Sequence, residues 1–110
     1  MHHKAKAHLY AIVESCEAII RKVSALTIED YDGSWELQAI VERKLITIGE
    51  AVAQIRELDF ALYEQIPDAP LIVGIRNKIT HGYLTIDNTI VLDAAQNHIP
   101  ILQKICEELL

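Results

Sequence analysis

In the first quarter of the chain the apolar side chains fall at Leu9, Ile12, Val13, Cys16, Ile19, Ile20, Val23 and Leu26. Steps of three and four match the α-helical turn and lay one apolar stripe along one side of it. No Pro or Gly interrupts the run from about Lys4 to Leu26, so the spacing predicts one long amphipathic helix that must bury its stripe against a partner. The pattern repeats at Leu37, Val41, Leu45, Ile48, Val52 and Ile55. That predicts a second helix from about Trp35 to Leu58. The connector between them, Thr27 to Gly33, ends in an Asp32-Gly33 turn signal, and Ser34 follows as an N-cap. No segment alternates with the period of a strand, and there is no internal repeat. The class is all-α, an antiparallel helical bundle of four main helices.

The second helix carries a further constraint. Its opposite side holds Ala39, Ile46, Gly49, Glu50 and Ala53, so it is buried on two sides, either within the chain or against a second subunit. Small residues at 49 and 53 admit a close approach. Asp59 to Asp68 is a second connector with room for a short helical turn, and Ile66-Pro67 ends regular structure. Asp68 is expected to cap a third helix over 69–81, with Pro70 in its first turn and Leu71, Ile72, Ile75 and Ile79 as its core face. Leu84 to Ile86 reads as a loop. Asp87 then caps the last helix, whose stripe is Val91, Ala94, Ala95, His98, Leu102, Ile105 and Leu109. Pro100 lies inside that pattern and predicts a kink near Ala95–Ile99. His98, on the stripe, reads as a core or interface histidine.

Of the 110 residues, 51% are hydrophobic, enough for a single domain over 1–110 with a buried core. No apolar run is long enough to span a bilayer, and no signal peptide is visible; the expectation is a cytoplasmic protein. His2 and His3 are given no role. Cys16 and Cys106 read as buried free thiols. Neither has a second Cys or His at ligand spacing, so neither a metal site nor a cofactor is expected. The net charge of −6 is a poor match for a broad nucleic-acid surface. The negative charge concentrates in residues 27–68, whose only cations are Arg43, Lys44 and Arg56, while 69–98 is balanced. RNA, if bound, must be held at a small local site.

The balanced region contains the densest chemistry, Gly74-Ile75-Arg76-Asn77-Lys78-Ile79-Thr80-His81-Gly82-Tyr83. Arg76 is a permanent cation able to grip a phosphate with two parallel donors. His81 can give or take a proton near neutral pH. Gly82 is a helix stop that tolerates a left-handed residue, with Tyr83 just past the end. Asn77 and His81, four apart, share a face. Arg76 and His81, five apart, leave the axis about 140° from one another. They converge only if the last turn unwinds or if a second copy of the motif completes the site.

These residues resemble the HEPN domains, and within them the HepT toxins of HepT–MntA toxin–antitoxin pairs. The resemblance spans nearly the whole chain. Its specific parts are Ile48-Gly49-Glu50-Ala51 and the stretch from Gly74 to Tyr83, in which Arg76, His81 and Tyr83 fill the family pattern R-x-x-x-x-H-x-Y. Asp87 and Ile99-Pro100 add support. Many relatives carry a Trp shortly before the motif helix, where this chain has Ile66-Pro67-Asp68-Ala69-Pro70. The resemblance implies a homodimer of bundles with the motifs facing each other, and a metal-independent endoribonuclease of a type VII-like toxin–antitoxin pair. It implies catalytic roles for Arg76 and His81 and a supporting one for Asn77. Tyr83 is implied as the residue to which a cognate MntA-type nucleotidyltransferase antitoxin adds AMP, silencing the toxin.

The chemistry of the residues agrees. Metal-free RNA cleavage needs a base for the 2′-hydroxyl, an acid for the leaving oxygen and a cation for the phosphate. One histidine cannot fill both proton roles in one step, whereas two copies around a twofold axis can. Glu50 is the acid to watch as a partner for Arg76. Two other readings stay open. One is a non-catalytic helical module that binds a nucleotidyltransferase or a nucleotide. In the other, Arg76 pairs with Glu50, His81 caps its own helix and Tyr83 packs at an interface.

Overall fold

The computed structural model describes residues 1–82 and 86–110. Among the described residues all regular structure is helical. Helix α1 spans His3–Val23 and buries Leu9, Ile12, Cys16, Ile19 and Val23 of the predicted stripe together with Ala5, while Val13, Ile20 and Leu26 are partly buried. His2 caps it, its Nδ1 accepting from the Lys4 amide at 3.1 Å. Helix α3 spans Trp35–Leu58 and buries Val41, Leu45, Ile48, Val52 and Ile55, with Ser34 accepting from the Leu37 amide at 3.2 Å as the expected cap. The Asp59 carboxylate, at the end of α3, accepts from the His2 amide at 3.3 Å. The end of α3 therefore lies beside the start of α1, and the two run antiparallel.

Both connectors contain helix. The first holds α2, Ile28–Asp32, closed by a reciprocal capping box between Thr27 and Asp30. Its spacing is too short to register as a periodic pattern, and the box supplies what length does not. Tyr31 on α2 is fully buried; its hydroxyl finds no hydrogen-bond partner, and burial pushes its pKa up. The second holds α4, Phe60–Tyr63, capped by Asp59 through the Leu62 amide at 3.1 Å.

The motif helix α5 spans Ala69–His81, as predicted, but its start differs. Asp68 makes no cap; it sits at φ 56°, in the left-handed region. Its carboxylate is instead 2.8 Å from Nδ1 of His98, so the acid is used between helices rather than within one. Leu71, expected in the core, is exposed. It stands about 70° round from the buried line of Ile72, Ile75 and Ile79.

Helix α6, Asn88–Asp93, begins at the expected cap, Asp87 accepting from the Thr89 amide at 2.8 Å. The predicted disturbance before Pro100 takes the form of a π-turn over Ala94–His98, followed by α7, Ile99–Leu109. The Ile99 amide donates to the carbonyl of Ala94, five residues back. Pro100 has no amide to offer and crowds the carbonyl four residues before it, and the wider turn relieves both. The wider turn also slips the apolar face by one position. Ile99, Leu102 and Cys106 are buried, where the unbroken pattern named His98, Leu102, Ile105 and Leu109. His98 is thereby turned off the stripe and is half-buried, not a core residue.

Helix α3 packs between α1 and α5, and α7 covers the other side of α1. Of the opposite side of α3, Gly49 is buried against α5 and Ile46 and Ala53 are half-buried, whereas Ala39 and Glu50 are exposed, so that side is only partly covered within the chain. Gln96 ties the π-turn to the end of α1, its amide donating to the carbonyls of Val23 and Leu26 at 2.7 and 2.8 Å; the Val23 carbonyl also accepts from the Leu26 amide at 3.1 Å. Cys16 and Cys106 are free and buried. Burial pushes the Cys106 thiol up to about 12 and the Cys16 thiol higher still, the reverse of what a reactive thiol needs. No described helix is long and apolar enough to cross a membrane.

Candidate active site

The approach of α5 to α3 is set at one position. A Cβ added to Gly49 would lie 2.5 Å from Cβ of Arg76, 2.8 Å from its Cγ and 3.6 Å from the Ile72 carbonyl. Only a residue without a side chain fits there, and the space it leaves is filled by the stem of Arg76. The sequence reading that position 49 admits a close approach is met by α5 of the same chain. Arg76 is half-buried as a result. Its Nε is inaccessible to solvent and has no hydrogen-bond partner.

Glu50, the expected partner of Arg76, is exposed. Among the described residues no acid lies within 4.0 Å of the Arg76 guanidinium; the ion pairs that form are those of His98, with Asp68 at 2.8 Å and with Asp93 at 4.0 Å. One residue on from Gly49, Glu50 projects about 100° away from the contact with α5. The Arg76 guanidinium is thus left without a carboxylate among the described residues.

The last turn of α5 stays helical. The Thr80 hydroxyl donates to the carbonyls of Arg76 and Asn77 at 3.0 and 3.3 Å, and the Gly82 amide donates to Lys78 at 2.8 Å. Gly82 ends the helix as expected, but at φ −133° and not in the left-handed region. Of the two ways in which Arg76 and His81 can meet, unwinding is not the one this chain adopts. Asn77 and His81 are exposed on one face of α5, while Arg76 is directed at α3. Tyr83 lies outside the described residues. No group of three or more His, Cys, Asp or Glu among the described residues is placed to hold a metal ion.

Asn77 opens onto a groove of about 480 Å³ between α3 and α5. Ala53, Arg56 and Glu57 form one wall, and Val73 and Gly74 stand with Asn77 on the other. Tyr63 of α4 closes one end. The Arg56 guanidinium lies 5.6 Å from the centroid of the Tyr63 ring, and Phe60 stacks on Tyr63 at 5.7 Å. This cluster was not legible in the sequence. Its aromatics lie in a connector, and only α4 brings them beside Arg56.

A family profile described as "Ribonuclease HepT-like" matches residues 12–109. The chain belongs to the HepT-like ribonuclease family. The match takes in Gly49 and α5 together. Among similar proteins is a "Putative RNase" of Methanocaldococcus jannaschii, 32% identical over 105 residues, covering 96% of this chain and 86% of the relative. A second, from Caldanaerobacter subterraneus subsp. tengcongensis, is 29% identical over 105 residues, covering 96% and 93%. A third, also from M. jannaschii, is 31% identical with 96% and 86% covered. No solved structure matches the chain significantly. The HepT-like relatives and this chain are thus alike along almost their full lengths, and the all-helical fold agrees with that membership.

Proposed function

We propose that this HepT-like chain is a metal-independent endoribonuclease toxin whose site is completed by two copies of the chain. The observation that supports this most is the pairing of an unneutralised Arg76, wedged over Gly49, with a His81 that a regular helix holds on another face. A single α5 separates the cation from the proton carrier. Two copies related by a twofold axis place a cation from one beside an imidazole from the other. One His81 then takes the proton of the RNA 2′-hydroxyl as its oxygen attacks phosphorus. The other gives a proton to the departing 5′-oxygen, and Arg76 binds the phosphate charge. Asn77 is the supporting polar group. Tyr83, two residues after His81, is the acceptor of AMP from an MntA-type nucleotidyltransferase antitoxin in the cytoplasm. The added charge and bulk block RNA entry.

An RNA-cleavage assay with added chelator tests the proposal. Wild type cleaves, and His81→Ala and Arg76→Ala each lose roughly 10²- to 10⁴-fold in rate. Cleavage that survives His81→Ala removes the histidine from the chemistry. A mass shift of one or more AMP units on the Tyr83 peptide, after incubation with the nucleotidyltransferase and ATP, tests the silencing step. The acidic balance of −6 favours a second reading, a non-catalytic module that binds the nucleotidyltransferase or a nucleotide. It predicts binding with no cleavage under any condition.

A further inference from the structure

The proposed cleavage chemistry makes no use of the cluster at the end of the groove. Phe60 and Tyr63 stack with their planes 28° apart, and Phe60 keeps 53% of its surface exposed. Arg56, also exposed, lies over the Tyr63 ring. An accessible aromatic beside a guanidinium is what holds an unpaired base and its phosphate in single-strand binders. The groove of about 480 Å³ is in the range of small-ligand sites. It runs along α5 from Pro70 to Asn77; the aromatic end lies beside Pro70, about 16 Å along the helix from His81, and the Asn77 end is one turn from it. We propose that Arg56, Phe60 and Tyr63 form a subsite for one unpaired nucleotide at a distance from the scissile bond, so that the substrate is single-stranded RNA.

This rests on the ribonuclease reading, and it adds the form of RNA that is accepted. The charges shape it further. Glu57 lines the same groove, and Asp59 and Glu64 flank the aromatics in sequence. Those acids repel phosphate, so stacking carries the binding and Arg56 offsets one phosphate only.

The test uses a short 2′-O-methyl oligonucleotide, which cannot be cleaved because the attacking hydroxyl is blocked. Its binding to the full chain is read by fluorescence anisotropy, beside cleavage kinetics on unmodified RNA. Phe60→Ala weakens binding on the order of ten-fold and raises KM with kcat near wild type, and Phe60→Trp restores both. Arg56→Ala reduces the slope of log affinity against log salt by about 0.7, the share of one phosphate on a single strand. Trp35→Ala removes another exposed aromatic, 75% accessible, at the far end of α3, and leaves binding unchanged. If wild type binds and cleaves while Phe60→Ala does both equally well, the subsite is wrong and the ribonuclease reading stands. If wild type neither binds nor cleaves, the ribonuclease reading fails and takes the subsite with it. If Phe60→Ala changes the sedimentation coefficient, the face is a contact between copies of the chain and the proposal is overturned.

Discussion

The two sides of α3 meet their neighbours by opposite means. Toward α1 the contact is volume: Val41, Leu45, Ile48, Val52 and Ile55 are sealed against Leu9, Ile12, Cys16 and Ile19. Toward α5 the decisive residue is a missing side chain, Gly49, into which Arg76 lays its stem. The first side gains from every methylene it buries. The second gives up that gain to hold a charged group at the surface of the core with its Nε unbonded. One side of a single helix is thus packed with apolar side chains, and the other accommodates a half-buried guanidinium whose Nε is unbonded.

Substitutions on the two sides break this contrast if it is wrong. The largest effect is expected from Leu45→Ala on the sealed side. It should cost about 2–5 kcal/mol in chemical denaturation, with RNA cleavage unchanged at temperatures where the variant is folded. Gly49→Ala comes next, at about 1–3 kcal/mol, because the new methyl meets the root of Arg76 and α5 must shift. Here cleavage falls even where the protein is fully folded, a separation that Leu45→Ala does not produce. Arg76→Met keeps the stem and deletes the unbonded Nε. It should change stability by less than about 1 kcal/mol, and a large loss would mean that Arg76 is structural.

The smallest effect belongs to the hinge between the two sides, Asp59, which caps α4 and accepts from the first residues of α1. Amides of Leu62 and His2 hold its carboxyl below the usual carboxylate value of 3.8. A group whose pKa is lowered on folding stabilises above its unfolded value, and that stabilisation is lost as pH falls through the folded one. Asp59→Asn should therefore be slightly less stable than wild type at neutral pH, and the gap should close as pH drops below about 4, measured by thermal unfolding across pH.

The helices and their buried stripes were legible because α1 and α3 are long enough for periodicity to speak. The motif helix was legible from Pro70 to Gly82 because its ends carry strong local signals. Helix α2 was not, since five residues hold no period, and α4 was legible only as room for a short helical turn between Asp59 and Asp68. In α2 the capping box of Thr27 and Asp30 was the available clue. Asp68 was misread as a cap because its true partner, His98, is thirty positions away. Arg76 and His81 were named from the motif, but the buried Nε and the groove with Arg56 and Tyr63 follow from how α4 and α5 fall against α3. No local pattern encodes that.

The π-turn before Pro100 has a consequence for how the end of the chain tolerates change. Because it holds one extra residue, α7 keeps the phase that a regular turn would give to a chain one residue shorter. Deleting a single residue between 94 and 98 would therefore close the wide turn into an α-turn and leave Ile99, Leu102 and Cys106 facing inward. A deletion after Pro100 has no such slack and would rotate everything downstream by about 100°. The bulge is a built-in allowance, a place where the helix can lose a residue without losing its face.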